Sequence, residues 1–351
     1  MKKYLSDIKE NNYLGPESPF DQDRPEEDLW FLPGPPEAEP DFLSPLPRAQ
    51  ADERAQIADW ELAQAGQAAR LADVAARLGA LDDRLRRGPE GWRHRLALIE
   101  AAALSWQTGD RVTVDRLGLW LGLRIGAADD DPAALQRTGW AFRRLAGGPG
   151  PGADLAGFLG RHDADGSVAV SERIAAWQAV VMATGNLHPI LRACFAFHLW
   201  PLAGIGAEGD RLEGAVIAAR MAADDGQGGA LFAPLAMGAP GGLRGGGDPA
   251  DRVRRWLACL QQAVLKAMRH LDDLEQWDQA ARARLADRSG RTPPRLIDAL
   301  RDWPLLTAPM AEEITGASRA AVQRNLSWLA GQGLVSEVTG QTRFRVWQAA
   351  L

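Results

Sequence analysis

The chain of 351 residues has two cysteines, two tyrosines, four lysines and five histidines. Cys194 and Cys259 both lie in apolar, helical contexts. They exclude a disulfide-stapled framework and read as buried thiols of a reducing, cytoplasmic protein. His94, His162, His188, His198 and His270 are scattered, with no Cys/His spacing of a zinc site. No metal site is expected, and no cofactor is implied. No apolar run approaches the roughly 20 residues needed to span a bilayer, and the N-terminus has no secretory h-region, so no membrane partner is expected. β-branched residues are sparse, which leaves little material for a large sheet.

Ala, Leu, Arg and Gly dominate instead, and the fold class expected is mainly α. The length suggests two or three units. Thirteen tryptophans imply anchored aromatic contacts between helices. The net charge of −6 excludes a polyanion binder by bulk charge. Residues 1–60 carry 14 acids against 6 bases, whereas residues 290–351 carry 7 arginines against 5 acids. Nucleic-acid contact, if made, is expected from the C-terminal end.

The first fourteen residues, MKKYLSDIKENNYL, hold both tyrosines and three of the four lysines. They read as a non-native leader or an ordinary irregular terminus. Residues 1–50 as a whole read as an acidic, Pro-rich arm without regular structure. Within it, Trp30, Phe31 and Leu32 are too apolar to be left in water, and a protein partner or the chain's own body is expected to cover them. Helical spacing then runs through 52–86, 92–106, a short segment that Thr113 could cap, a helix opened by Asp129, Asp130, Asp131 and Pro132, and further helices at about 171–184, 188–200, 211–223 and 249–287. The expected organisation is the arm, a helical body over 51–288 and a small module over 289–351.

The module carries the clearest signal. PPRLIDALRDW reads as an amphipathic helix, TAPMAEEIT as a second with Pro309 in its first turn, and Gly316 as a tight turn. Ser318 can cap a third helix, SRAAVQRNLSWLAGQG, with Ala321, Val322, Leu326 and Leu329 inward. LVSEV and RFRVW alternate around Thr339 and Gly340 as a β-hairpin. Helix, helix, turn, helix, hairpin resembles a winged helix-turn-helix, which implies double-stranded DNA or a protein as partner. Candidate DNA contacts are Ser318, Arg319, Gln323, Arg324 and Asn325, with Ser327 on the same helix and Gln341, Arg343 and Arg345 in the hairpin. Arg and Gln suit guanine and adenine edges; the hairpin arginines suit phosphates or a minor groove. The module is only mildly basic, so a homodimer is expected for tight binding.

Residues 90–351 also resemble the Fic family, whose members transfer nucleotide groups to hydroxyl side chains. EAAALSWQTGDRVTVDRL (100–117), HPILRACFAFH (188–198), GDRLEGAVIAAR (209–220) and LFAPLAMG (231–238) occur in the family's order, with a C-terminal winged helix after them. The resemblance implies an active-site motif HPFx[DE]GNGRxxR, with a His base and a second Arg on the terminal phosphate. With Arg211 as the first Arg, Ala203 stands at the base and Gly214 at the second Arg, so no catalytic residue is assigned. Losing a positioned base alone costs a factor on the order of 10²–10⁴ in rate. His188-Pro189 has no glycine loop at the needed spacing, and His198 lies five residues before the expected base. Gly204, Gly206, Gly209 and Arg211 remain a candidate anion-binding loop, with Glu208 and Asp210 opposing phosphate. The whole chain further resembles an uncharacterised bacterial family that joins a domain of unknown function to a helix-turn-helix. The leading expectation is a DNA-binding transcriptional regulator whose Fic-like helical domain, catalytically degenerate, serves dimerisation or ligand sensing. A divergent nucleotidyl or phosphoryl transferase and a protein adaptor are the alternatives.

Overall fold

A computed structural model of the chain describes residues 50–123, 130–152, 154–161, 167–206, 211–238, 240–286, 288–339 and 345–351. The arm with Trp30, Phe31 and Leu32, together with Asp129, His162, Glu208, Gly209, Asp210, Gln341 and Arg343, lies outside the described residues. The protein is mainly helical, with thirteen helices and three short strands among the described residues. None of these helices is long and apolar enough to cross a membrane.

The core is built from helices whose ends the sequence marks locally. α1 (Gln50–Ala65), α2 (Ala68–Arg87) and α3 (Glu90–Gln107) lead into α4 (Val114–Leu123), where Thr113 Oγ1 accepts from the Arg116 amide. Asp131 caps α5 (Pro132–Ala146) by accepting from the Ala133 amide, with Pro132 in the first turn. α6 (Leu155–Leu159) and α7 (Ser167–Met182) follow. His188 Nδ1 accepts from the Ile190 amide to open α8 (Pro189–Ala203), and Gly204 ends α8 in the left-handed region at φ 61°. α9 (Leu212–Ala222) packs closely on α8, because Gly214 lies against Trp200. α10 (Pro249–Arg284) is 36 residues long. Its stripe Val253, Trp256, Leu260, Val264, Leu271, Leu274 and Trp277 is buried at helical spacing. Some tryptophans meet other rings edge-on, as Trp177 does Trp200 (5.5 Å) and Trp60 does Phe195 (5.3 Å).

α3 is buried along most of its length and carries three buried polar residues five positions apart, each directed to a different neighbour. Arg95 donates to the Leu300 and Trp303 carbonyls (2.7 and 2.8 Å). Glu100 accepts from the amides of Leu235, Ala236 and Met237 (2.7, 2.7 and 3.0 Å). Ser105 Oγ accepts from the Val112 amide at 2.9 Å. Five residues advance a helix by about 140°, so these three side chains leave on different faces. Glu100 and Ser105 belong to the segment aligned above with an early Fic motif, and here both hold backbone.

At the C-terminal end, α11 (Thr292–Asp302) packs on α3 and α10. β1 (Leu306–Thr307), α12 (Ala308–Thr315), α13 (Arg319–Gly331), β2 (Val335–Glu337) and β3 (Val346–Ala349) follow. The sheet order is β1-β3-β2, both pairs antiparallel, with Leu306 opposite Trp347 and Val335 opposite Ala349. The sequence reading lacked β1. Two residues are too few for an alternation to show, and Thr307 also caps α12 by accepting from the Met310 amide.

Candidate functional sites

α13 is capped by Ser318, whose side chain accepts from the Ala321 amide, and Gly316 makes the preceding turn at φ 64°. Val322, Leu326 and Leu329 are fully buried against the neighbouring elements. Ala321, expected inside, is only half-buried. Ser318, Arg319, Gln323, Arg324 and Ser327 are exposed. Several of the candidate contacts already have partners. Arg319 Nε bonds Glu312 Oε1 of α12 at 2.7 Å, and Asn325 Nδ2 donates to the Ala321 carbonyl one turn back. Arg345 is exposed just before β3. Arg288 stacks 4.1 Å over the Trp328 ring, fixing the outer side of α13 near its end. Trp277 Nε1 donates to the Leu334 carbonyl at 2.6 Å, tying the α13–β2 turn to α10.

Of the glycine turn after α8, only residues 204–206 are described. The carbonyls of Gly204 and Ile205 accept from Arg173 Nη1 (3.0 Å) and Arg161 Nη1 (2.9 Å). A cradle needs amides turned to the ligand; here carbonyls are turned to cations. Gly206 is half-buried. Gly214 has no room for an arginine, since even a Cβ there would come within 2.8 Å of the Trp200 ring. Arg211 points towards the loop before α10, where Nη1 is 3.5 Å from the Leu243 carbonyl.

His198 is half-buried in this region, its ring 5.2 Å from that of Phe197 and 6.0 Å from that of Trp60. Burial, then the charges of Arg252, Arg211 and Arg255, push its pKa down to about 3. His270 is pushed down to about 4 by burial and by Arg95, against the opposing charge of Asp273. Both are neutral at physiological pH. The unfolded imidazoles titrate near 6.5, so the unfolded state takes up protons first as pH falls. Folding free energy is therefore expected to be full above pH 6.5 and lost towards pH 3, by about 1.4 kcal/mol per pH unit for each histidine. Urea midpoints at pH 7, 5.5 and 4.5 check this: His198→Leu flattens the decline, and an unchanged slope would contradict it.

Neither His198 nor His188 has a metal partner set; among the described residues no group of three or more His, Cys, Asp or Glu could hold an ion. Cys194 and Cys259 are free and buried, and burial raises the Cys194 thiol well above its ordinary value. The sequence reading missed Arg252 and Arg255 at His198, although their i,i+3 spacing just after the Asp248 cap places them on one face of α10.

No family model and no curated protein matches the chain.

Proposed function

We propose that residues 289–351 are a winged helix-turn-helix that binds double-stranded DNA through α13. The body over 51–288, Fic-like in its sequence pattern, holds the module and sets its geometry in a homodimer. The observation that carries this reading is the two-sidedness of α13: Val322, Leu326 and Leu329 are fully buried, while Gln323, Arg324 and Ser327 stand exposed on the same helix. A helix anchored in this way, followed by two antiparallel strands, can lie in a major groove, with Arg324 suited to guanine and Gln323 to adenine. Arg319 is held by Glu312 and contributes less unless that pair opens. Glu312 and Glu313 on α12 keep nonspecific attraction low.

The test is binding of native and variant chains to a selected duplex. Arg324→Ala is expected to weaken specific binding about 10- to 100-fold, the range of a lost bidentate base contact, and to relax selectivity at one base pair. Arg319→Ala is expected to cost less. Equal, small effects of both on every duplex would remove base reading from α13.

A further inference from the structure

α2 carries a glycine that its packing does not require. Gly79 stands in the helix interior, where glycine weakens a helix, and a Cβ there would meet nothing within 4 Å. It lines a cavity of about 180 Å³ together with Leu78 and Asp82 of the same helix. The rest of the wall comes from the start of α8, with His188 and Ile190, and from the end of α9 and the loop after it, with Asp225. Asp82, His188 and Asp225 are its titratable groups, and the remaining lining is alanine, glycine, proline and aliphatic side chains. His188 also lines a second, wider hollow beside it, where the titratable group added is Glu61 of α1. Among the described residues, no lysine or arginine lines either one.

The polar groups of this cavity suit a cation and not an anion. The start of α8 has no amide to spare. The His188 amide donates to Gln64 Oε1 (2.8 Å), Pro189 has none, the Ile190 amide donates to His188 Nδ1 (3.2 Å), and those of Leu191 and Arg192 donate to the His188 carbonyl (2.8 and 2.9 Å). Because Nδ1 accepts, the neutral ring carries its proton on Nε2, which has no partner among the described residues. Burial lowers the His188 pKa, so the ring is neutral at physiological pH. Asp225 acts on it more strongly than Arg192 does, and Arg192 is engaged by the Gly185 and Leu187 carbonyls (3.2 Å each). Asp82 is buried and holds the loop by accepting from the Gln227 and Ala230 amides (2.8 and 2.6 Å). Asp225 is exposed and makes no hydrogen bond or ion pair among the described residues.

We propose that this cavity binds a small organic ammonium ion, its charged head paired with Asp225 and its short apolar body against Leu78, Gly79 and Ile190. A pocket wall that is mostly apolar with a few convergent polar groups is the usual form of a small-solute site, and a cleft lined by one sign of charge concentrates the opposite ion. A side chain at position 79 would take the space of the solute, which accounts for the glycine. At about 30 Å³ per water in the liquid, the 180 Å³ cavity has room for about six heavy atoms, the size of a short alkylamine. The Nε2–H of His188 is left for an acceptor on the same solute, such as a hydroxyl. The site lies on the helical body and does not depend on α13 binding DNA.

The experiment titrates the full chain with n-butylammonium chloride, n-butanol and sodium butyrate at matched ionic strength, following the His188 ring resonances by NMR and, in parallel, Tm. The three probes share one apolar body and differ in charge, and the amine stays protonated at about pH 7. Butylammonium is expected to shift the His188 resonances saturably and to raise Tm on the order of 2 °C at tenfold excess over Kd. Butanol is expected to bind about tenfold more weakly, the loss of a hydrogen bond to a charged group, and butyrate to give no response. Gly79→Leu is expected to lose the saturable shift while its own Tm is equal to or above the native value, because the helix gains propensity and the new side chain has open space. Asp225→Asn is expected to reduce the affinity for butylammonium to that for butanol. No saturable His188 shift in the native chain overturns the proposal. So does equal binding of butanol and butylammonium, or native affinity retained in Gly79→Leu.

Discussion

Glu100→Ala is expected to destabilise the protein by about 4 kcal/mol, a large share of a typical domain's stability. Glu100 is completely buried, and its two oxygens accept from three consecutive amides, those of Leu235, Ala236 and Met237. Burial raises its pKa, and the three amides oppose that rise. Truncation leaves three buried N–H groups without an acceptor, at about 1–3 kcal/mol each before relaxation, and opens a cavity beside α3. Glu100→Gln keeps one acceptor oxygen and the side-chain volume, and is expected to cost roughly half as much. Urea unfolding of the three proteins checks this. The segment 231–238 is the one that should loosen first, seen as faster amide exchange there. A Glu100→Ala protein within about 1 kcal/mol of native would mean that the loop is held by its apolar contacts alone.

Arg95→Ala is expected to cost about 3–5 kcal/mol, the range for disrupting a buried charged group. Arg95 is 4 % exposed and ends α11 by donating to the carbonyls of Leu300 and Trp303. A cation at a helix C-terminus also meets the negative end of the dipole. Burial lowers its pKa to about 10, against the favourable charge of Asp302. The packing around this contact is close: a Cβ at Gly91 would stand 1.7 Å from the Asp302 carbonyl oxygen. Arg95 therefore holds α11, and through α11 the α13 helix, to α3. Hydrogen exchange in α11–α13 should accelerate in Arg95→Ala while α8 and α9 keep their protection. Uniform acceleration along the whole chain would show that the module has no local opening of its own.

Much of this architecture is legible in the sequence because it is local. Asp131-Pro132, Thr307 and Ser318 each mark a helix start by a cap that needs only its own next turn. The apolar spacing of 249–284 and of α13 predicts the buried faces. The long-range polar contacts are not legible, since they join residues far apart in the chain: Arg95 to Leu300, Glu100 to Ala236, Arg161 to Glu213. The glycine turn after α8 shows the limit most clearly. Its spacing suggests an anion loop, but which way its carbonyls point is decided by Arg161 and Arg173 from other elements.

The central claim is that α13 reads DNA. The most direct test is fluorescence anisotropy of the full chain against a randomised duplex pool and the gene's own upstream DNA, at two salt concentrations. The predicted result is tight, salt-tolerant binding to one duplex, weakened about 10- to 100-fold in Arg324→Ala. Weak binding, equal for all duplexes and abolished by modest salt, would contradict the claim and make the module a protein-binding surface.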